Sequence, residues 1–415
     1  MHKIYAHLIR IFSSALIPLS LVILILFVSA RSDAQTWGLQ VSGTGSDLES
    51  ISFIDANKGW AAGIGGTVIT TSDGGSNWNS QVSGTTKGLY SLIFADADHG
   101  WAAGQTGTII CTADGGANWS TQVSGTTQSL NGVFFVDALT GWVVGGAGKV
   151  IHTSDGGINW GAQVSGTTKS LNHVFFVDAL TGWAVGGAGT VIHTADGGVN
   201  WGAQAGGTVQ SLNSIFFADA LTGWAVGANG TVTHTADGGA NWGVQAGGGT
   251  VQPLNGIFFA DALTGWAVGG TGTIIHTSDG GINWATQTSG TANNLSDLSC
   301  AGTGASWISG QNGTILFSSG MNTAPVLSPI GPQNVDEGTV LLFTISAADA
   351  DGDVLVYSAS GLPAGASFSD STFTWTPGFD QSGPYSATFT VSDGTDTDSE
   401  VVTITINNVN EAPVL

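Results

Sequence analysis

Basic residues are scarce in this chain of 415 residues, which has 7 lysines and arginines against 29 aspartates and glutamates. Only four of the seven lie after residue 34, and all four are lysines: Lys58, Lys87, Lys149 and Lys169. Proteins that bind nucleic acids need a patch of positive charge to contact the phosphate backbone. We therefore expect no nucleic-acid partner.

Long apolar runs are also lacking, except for the stretch from Ile11 to Ala30 that follows Lys3 and Arg10. The basic start, the apolar run and the small residues Ala30 and Ala34 predict a secretory signal over residues 1–34. A retained anchor is the alternative, because a run of this length can span a bilayer. We expect a secreted or bacterial cell-surface protein whose mature chain does not insert into lipid.

Tryptophan, by contrast, is abundant and regularly spaced. Fourteen of the 15 tryptophans fall into two series, and successive members are 41 or 42 residues apart. One series is Trp60, Trp101, Trp142, Trp183, Trp224, Trp266 and Trp307, and the other is Trp37, Trp78, Trp119, Trp160, Trp201, Trp242 and Trp284. A fixed period of this length indicates a repeat architecture.

The repeat from Ser129 to Gly166 contains four short runs of β-branched and aromatic residues, separated by turn residues. The runs are Val133 to Val136, Trp142 to Val144, Lys149 to His152 and Trp160 to Val164. Four strands in a period of about 40 residues predict a propeller blade, and propellers typically have about 4 to 8 blades. We predict an all-β fold with a seven-bladed β-propeller over residues 35–321 and a C-terminal β-sandwich.

The two ends of the repeat array predict closure of the ring. The seventh repeat has Ser318-Ser319-Gly320 where the others have Asp-Gly-Gly, so it lacks its fourth strand. Residues 36–43 match a fourth strand, and we expect them to complete blade seven and to pair its open edge. Cys111 and Cys300 then lie in separate blades, too far apart for a disulfide, which needs Cα atoms within about 7 Å.

The turn that begins at Asp73, Asp-Gly-Gly-Ser-Asn-Trp, recurs at Asp114, Asp155, Asp196, Asp237 and Asp279. It resembles the Asp-box of bacterial neuraminidase repeats. Together with the Gly-Trp-Ala-Val-Gly pattern, it is more similar to the photosystem II stability and assembly factor family of seven-bladed propellers. The resemblance implies a structural role for the turn. Sialidase activity is not expected, because neuraminidases hold their substrate carboxylate with three arginines and this chain has none after Arg31.

Residues at the start of the first strand of each repeat should surround the mouth of the central channel, where propellers usually bind ligands. We predict a ligand-binding site there, with solvated loop residues as the alternative. Its residues are Asp47, Glu49, Tyr90, Asn131, Asn172, His173, Asn213, Asn255 and Asp297.

No motif of a nucleophilic hydrolase or a zinc protease occurs, and we expect no catalytic residues. A glycoside hydrolase could use Asp47 with Asp297, or Glu49 with Asp297, as its carboxylate pair. The recurring His152, His193, His234 and His276 are expected to pack in the blades, because metal ligands must converge on one ion.

From Asn322 the period is lost, and alternating runs predict a β-sandwich over residues 322–408. The predicted strands are Leu341 to Ser346, Val354 to Ser358, Thr372 to Trp375, Tyr385 to Val391 and Val401 to Ile406. The Asp-Ala-Asp-Gly-Asp stretch from Asp349 and the Asn-Asn-Val-Asn-Glu-Ala-Pro stretch from Asn407 resemble dystroglycan-type cadherin-like and bacterial immunoglobulin-like modules.

In cadherins, such residues bind calcium between consecutive domains. The resemblance therefore implies calcium as a cofactor, and oxygen-rich clusters of this kind suit a hard cation. Ordinary Asx turns are the alternative. The implied ligands are Glu337, Asp349, Asp351, Asp393, Asn408 and Asn410.

The Ala-Pro-Val-Leu that begins at Ala324 recurs at Ala412, so we expect residues 409–415 to begin a further module of a longer protein. The sequence thus predicts an exported, non-catalytic binding or adhesion protein. Its propeller would bind an extracellular protein or glycan, and the sandwich would be a calcium-binding spacer. The alternatives are a role in the assembly of a membrane complex and an extracellular carbohydrate-active enzyme.

Overall fold

The computed structural model describes residues 36–301, 304–320, 324–349, 354–394 and 396–409. The predicted signal over residues 1–34 lies outside them, as do Asp351 and Asn410. Among the described residues, no helix has the length and the apolar composition needed to cross a membrane.

Residues 38–318 form seven four-stranded antiparallel sheets, which confirms the predicted all-β propeller. The first strands are Leu48–Phe53, Leu89–Phe94, Leu130–Phe135, Leu171–Phe176, Leu212–Phe217, Leu254–Phe259 and Leu295–Cys300. The second strands are Gly59–Gly63, His99–Gly104, Gly141–Gly145, Gly182–Gly186, Gly223–Gly227, Gly265–Gly269 and Ser306–Gly310. We number the blades one to seven in this order.

The third strands are Val68–Thr71, Ile109–Ala113, Lys149–Thr153, Thr190–Thr194, Val232–Thr235, Ile274–Thr277 and Ile315–Ser318. The fourth strands are Asn79–Gln81, Ser120–Gln122, Gly161–Gln163, Gly202–Ala205, Gly243–Gln245, Ala285–Gln287 and, for blade seven, Gly38–Gln40. One-turn 3-10 segments join second to third strands: Ile64–Gly66, Gln105–Gly107, Gly146–Gly148, Gly187–Gly189, Ala228–Gly230, Gly270–Gly272 and Gln311–Gly313.

The N-terminal strand closes the ring as predicted. It pairs antiparallel with the third strand of blade seven, with Gly38 opposite Phe317 and Gln40 opposite Ile315. Trp37 Nε1 donates a 2.9 Å hydrogen bond to Gln287 Oε1 at the outer strand of blade six. The chain start is therefore held by both backbone pairing and a side-chain bond, and blade seven gains the fourth strand that its own sequence lacks.

In six of the seven blades, the tryptophan of the second strand stacks on a phenylalanine of the next blade and donates a hydrogen bond to its Asp-box turn. The Trp60 ring is completely buried and lies 3.5 Å, between centroids, from the parallel ring of Phe94 in blade two. Its Nε1 donates to the carbonyl of Gly115, 2.9 Å away in the Asp-box turn of blade two. Truncation of a buried aromatic residue to alanine typically costs about 3–5 kcal/mol, so this repeated contact is a main source of propeller stability.

The Asp-box turn has the structural role that its residue types predict. Asp73 Oδ1 accepts hydrogen bonds from the Thr71 hydroxyl and the Asn77 amide, and Asp73 Oδ2 accepts one from Asn77 Nδ2. These bonds lower the pKa of Asp73, with Asn77 contributing most. The Gly74 amide donates to the Asn57 carbonyl in the turn between first and second strands, so the Asp-box turn lies on the same face of the disc as that turn.

Residues 326–407 form the second predicted region, built from two main sheets. One has the order Gln333–Asp336, Thr397–Asn407, Gly383–Ser392, Val356–Ser360, and the other has the order Leu341–Thr344, Thr372–Trp375, Ser367–Ser369. Val326–Leu327 pairs with Ala347–Ala348. Phe373, Trp375 and Phe389 are buried between these sheets. Four of these strands are absent from the sequence prediction because they are short and, apart from Val326–Leu327, contain few large apolar residues.

Candidate functional site

The first strands of the seven blades enclose a cavity of about 470 Å³ at the centre of the propeller. Volumes of about 300–1,000 Å³ are usual for ligand sites. The second residue of every first strand lines this cavity, as the sequence predicts: Glu49, Tyr90, Asn131, Asn172, Asn213, Asn255 and Ser296. In each blade the register between the first and second strands shifts at this residue, as it does between Leu48 and Ser50 in blade one. The residue therefore has no directly paired residue on the second strand.

Four asparagines at this position form a belt from blade three to blade six. The Asn131 side-chain amide donates to the Leu171 carbonyl of blade four at 2.9 Å, and Asn172 repeats the bond to Leu212 at 2.8 Å. Asn213 and Asn255 do the same to Leu254 and Leu295. Each predicted asparagine therefore joins neighbouring blades, which gives it a structural role and leaves its side-chain oxygen at the cavity.

The belt is broken where Ser296, Glu49 and Tyr90 replace asparagine in blades seven, one and two. The Glu49 carboxylate makes no hydrogen bond within the described part of the chain, although it is half-buried. Burial, and secondarily the charge of Asp47, raises the pKa of Glu49. This side chain is thus a carboxylate at the cavity that no group among the described residues neutralises.

Asp297 and His173 occupy the third position of the first strand. In several blades the side chain at this position accepts a hydrogen bond from the next blade. Asp297 Oδ2 accepts from the Ser50 hydroxyl at 2.8 Å and from the Ile51 amide at 3.2 Å. The Ser50 hydroxyl oxygen accepts the Leu92 amide at 3.1 Å, and His173 Nδ1 accepts the Ile215 amide at 3.4 Å. Asp297 and His173 therefore join blades, a role that sequence analysis did not identify.

The surroundings of these two side chains shift their proton affinities. Both line the cavity but are surrounded by protein along most of their length. Burial raises the pKa of Asp297 against the opposing effect of its hydrogen bonds with Ser50, Ile51 and Leu298. Burial also lowers the pKa of His173 to about 4, so the imidazole is neutral at physiological pH.

Asp47 differs from the other predicted residues, because it does not belong to the cavity lining. Its Oδ1 accepts a 2.8 Å hydrogen bond from the Asn312 amide of blade seven, across the ring closure. The structure thus brings Glu49 and Asp297 to one cavity and places Asp47 in a turn beside it. Of the two carboxylate pairs proposed for a glycoside hydrolase, only Glu49 with Asp297 shares a cavity.

The fifth residue of the first strand gives the cavity two unlike walls. Blades three to six contribute an arc of aromatic rings, Phe134, Phe175, Phe216 and Phe258, with successive centroids 5.0, 5.1 and 5.0 Å apart. Blades one and seven have Ser52 and Ser299 instead, and their hydroxyl oxygens accept the Phe94 and Phe53 amides. One wall is therefore aromatic, and the opposite wall is polar and carries both carboxylates.

The fifth-position residues are not among the predicted site residues, although the sequence contains a signal for them. The Phe-Phe doublet that ends the first strand in blades three to six becomes Ser-Phe in blade one, Ile-Phe in blade two and Ser-Cys in blade seven. Successive side chains of a strand point to opposite faces, so one ring of the doublet is expected to be buried in the blade and the other to face the channel.

The four recurring histidines pack as expected. His152, His193, His234 and His276 each lie 4.9–5.1 Å, between ring centroids, from the second-strand tryptophan of their own blade. Burial lowers the pKa of all four. Among the residues described, no group of three or more His, Cys, Asp or Glu side chains is placed to hold a metal ion.

The calcium-ligand candidates lie at two opposite ends of the sandwich. Asp349 follows the strand that pairs with Val326–Leu327, and Asp393 lies in the hairpin before Thr397–Asn407. Glu337 and Asn408 lie at the other end of Thr397–Asn407, where the Glu337 amide donates to the Asn407 carbonyl. A strand of this length spans roughly 30 Å, so these residues cannot share one ion within the module.

Glu337 has the most unusual environment of the set. The residue is only 4% exposed. Its Oε2 accepts the Val409 amide at 3.1 Å, whereas Oε1 is buried and has no hydrogen-bond partner within the described residues. A buried carboxylate oxygen without a partner is costly and fits a cation ligand. The described residues at this end, Glu337 and Asn408, supply fewer oxygens than the 6 to 8 or so that calcium takes.

Two family models match the chain. The family described as "Photosynthesis system II assembly factor YCF48" matches residues 29–120, 81–170, 118–205 and 163–246, which together exceed half of the chain. The family described as "Putative Ig domain" matches residues 324–407. The first match begins at residue 29, near the end of the predicted signal, and extends through blades one to five, and the second covers the sandwich.

Solved structures similar to this chain are also propellers. They include YCF48 bound to a D1 peptide, with 21% identity, a TM-score of 0.59 and coverage of 68% of this chain and 96% of that one. YCF48 from Cyanidioschyzon merolae has 23% identity, a TM-score of 0.58 and coverage of 68% and 98%. The WD40 propeller of Doa1 has 14% identity, a TM-score of 0.55 and coverage of 68% and 97%. At these identities the similarity establishes the fold alone.

Among curated proteins, chitinase A of Pseudoalteromonas piscicida is 33% identical over 99 residues. The matched part is 23% of this chain and 12% of the chitinase. The chain thus spans only a small fraction of the length of this relative.

Proposed function

The chain belongs to the photosynthesis system II assembly factor YCF48 family, and we propose that it is a non-catalytic binding scaffold whose central cavity holds a segment of a partner protein. The proposal includes export and action at a bacterial surface, which rest on the apolar run from Ile11 to Ala30. N-terminal sequencing of the secreted protein would test export, with cleavage after Ala30 or Ala34 as the expected result.

The two unlike walls of the cavity are the observation that carries this proposal. Repeats three to six use nearly the same residues around the cavity, whereas blades seven, one and two depart from them at the second and fifth positions. If the cavity only had to be filled, phenylalanine would serve in all seven blades as it does in four. Apolar surface combined with a few polar groups is the usual composition of a ligand site.

A protein ligand is favoured by a relative that has been solved with a bound peptide. Substrate catalysis is disfavoured by the state of Asp297, since three hydrogen bonds already hold this carboxylate in a role that joins blades. A general acid or base has to be free to exchange its proton with the substrate.

The test fills the cavity with residues that the fold already accepts. The double variant Ser52→Phe and Ser299→Phe places in blades one and seven the side chain that blades three to six have at the same position. The matched control is Ser76→Ile, which also replaces a serine by a large apolar residue, but in an Asp-box turn outside the cavity lining. The fold accepts isoleucine there, because the equivalent residues of blades three and six are Ile158 and Ile282. Peptides selected from a random phage-displayed library against the purified chain serve as the probe.

We expect the selected peptides to bind the chain and the Ser76→Ile variant equally well, and to lose binding to the double variant. Circular dichroism would check that the double variant keeps the fold. Equal binding to both variants would contradict the proposal, because the peptide site would then lie outside the cavity.

We further propose that the sandwich is a calcium-binding spacer, with Glu337 and Asn408 at one end and Asp349 and Asp393 at the other; Asp351 and Asn410, which lie outside the described residues, complete the proposed ligands. Glu337 Oε1, which has no partner within the described part of the chain, supports this proposal. Calcium bound between consecutive modules would take ligands from both kinds of end. Calorimetric titration of the chain with calcium should show binding that the Glu337→Gln variant weakens, and unchanged binding in that variant would rule out this ligand set.

An extracellular carbohydrate-active enzyme is the second candidate, supported by the partial match to chitinase A. In that case Glu49 and Asp297 would be its carboxylate pair. Release of soluble sugar from chitin by the purified chain, lost in Glu49→Gln, would favour this function over a binding role.

A further inference from the structure

The charge of the cavity is of one sign. Its lining includes two carboxylate residues, Glu49 and Asp297, and no lysine or arginine. The four lysines of the propeller all lie outside this lining. A charge placed near low-dielectric walls acts more strongly than it would in water, so an anionic ligand would be disfavoured in this cavity.

The two carboxylates differ in what they can still do. The Asp297 carboxylate already accepts hydrogen bonds from the Ser50 hydroxyl and from the amides of Ile51 and Leu298. Glu49 has no hydrogen-bond donor within the described residues, and Ser296 of blade seven replaces the asparagine that in other blades donates to the leucine carbonyl of the next blade. Glu49 is therefore the group that a ligand can neutralise, and Asp297 adds negative potential beside it.

The aromatic arc defines what the rest of the ligand must be. Successive rings of Phe134, Phe175, Phe216 and Phe258 have centroids 5.0–5.1 Å apart and are tilted by 50–53° to each other, which is within the usual spacing of aromatic neighbours. Long basic side chains combine an aliphatic stem that packs on apolar surface with a charged end that stays in a polar environment. Aromatic faces also attract cations within about 6 Å.

Building on the proposed function, we infer that the cavity receives a basic side chain of the partner protein, a lysine or an arginine. Its stem lies along the Phe134–Phe258 arc, and its cationic end pairs with Glu49 on the opposite wall. Glu49, one of the three residues that break the asparagine belt, thus sets specificity, and the excess of acidic residues in the chain favours the same positively charged segment.

Blocked five-residue peptides, Gly-Ala-X-Ala-Gly, provide the test, with X as lysine, arginine, norleucine or glutamate. Binding to the full chain is measured by calorimetry for the wild type, for Glu49→Gln and for Asp98→Asn. The last variant is the matched control, since Asp98 is an acidic residue in the turn between first and second strands, away from the cavity. Hexylamine is also tested, as a small amine that is not part of a peptide.

We expect the lysine and arginine peptides to bind at least about tenfold more tightly than the norleucine peptide, as a charge-assisted hydrogen bond requires. Glu49→Gln should remove this preference, and Asp98→Asn should keep it. Hexylamine should bind more weakly than the lysine peptide. Equal binding of hexylamine would overturn the assignment to a protein partner in favour of a small amine.

The outcomes separate this inference from the proposed function. If norleucine and lysine peptides bind equally and Glu49→Gln has no effect, while Ser52→Phe with Ser299→Phe abolishes binding, the cavity binds peptides but the basic specificity is wrong. If the double variant also changes nothing, the cavity itself is the wrong site and both ideas fail.

Discussion

Trp266 should be the least costly of the second-strand tryptophans to replace by phenylalanine. Trp183 and Trp224 donate through Nε1 to Gly238 and Gly280 in the Asp-box of the next blade, each at 3.0 Å. Blade seven lacks this turn, and the Trp266 Nε1 is buried with no acceptor in the described part of the chain. Among the second-strand tryptophans, all of which the structure describes, Trp266 therefore has an unsatisfied donor and the other six have a bonded one.

The expected difference follows from two effects. Trp224→Phe loses a hydrogen bond with a net value of about 1 kcal/mol, whereas Trp266→Phe removes an unsatisfied buried donor that costs about 1–3 kcal/mol. The loss of ring volume is common to both substitutions, and the Gly280 carbonyl keeps a bond from Gln245 Nε2 in the first. Trp224→Phe should thus lower the free energy of unfolding by about 2–4 kcal/mol more than Trp266→Phe does.

Denaturation in urea, followed by far-ultraviolet circular dichroism, measures this difference, provided that the slopes of the transitions agree. Trp183→Phe is the control and should behave like Trp224→Phe. Equal destabilisation by Trp224→Phe and Trp266→Phe would refute the reasoning, because the Asp-box carbonyl would then contribute nothing to the fixing of the indole.

Three further predictions concern buried titratable groups. Burial lowers the pKa of His173 from 6.5 to about 4, so between these pH values the unfolded chain binds a proton that the folded chain does not bind. The free energy of unfolding should therefore decrease by up to about 3 kcal/mol as the pH is lowered from 6.5 to 4. His173→Ser, the residue of blade one at this position, should flatten that part of a plot of stability against pH, and an unchanged curve would contradict the assignment. Both oxygens of Asp297 accept a backbone N–H, from Ile51 and from Leu298, so Asp297→Asn turns an NH2 group towards one of these donors and Asp297→Ala removes the acceptor altogether; both variants should therefore melt below the wild type. A wild-type melting temperature for both variants would argue against the role of Asp297 in joining blades. Burial raises the pKa of the Cys300 thiol to about 12, so in Cys111→Ser it should react with a thiol reagent only after denaturation. Rapid reaction of the folded variant would show that Cys300 is accessible.

The propeller fold could be predicted because the same sequence pattern recurs in each repeat. The tryptophan period, the Asp-Gly-Gly turns and the fourth strand at residues 36–43 are local patterns, and repetition makes them unmistakable: the tryptophans recur in all seven repeats and the turn in six. The sandwich was harder, because Ser367–Ser369 and Ala347–Ala348 are too short and too polar to form an alternating pattern. Their strand conformation depends on pairing with Thr372–Trp375 and Val326–Leu327.

The site could be predicted only in outline. The position of Glu49 and the asparagines at the channel follows from where the first strand begins. The roles of Asp297 and the asparagines as links between blades do not, because they depend on amides and carbonyls of another blade about 40 residues away. The contrast between Ser52 and the phenylalanine arc was present in the sequence, but its meaning depends on which face of the strand meets the channel.

The most direct test of the account is a crystal structure of the chain with the tightest peptide from the phage selection. The account predicts that the peptide enters the central cavity, with a basic side chain between the aromatic arc of Phe134 to Phe258 and the Glu49 carboxylate. A peptide bound on the Asp-box face or on the outer strands, with the cavity unchanged, would contradict it.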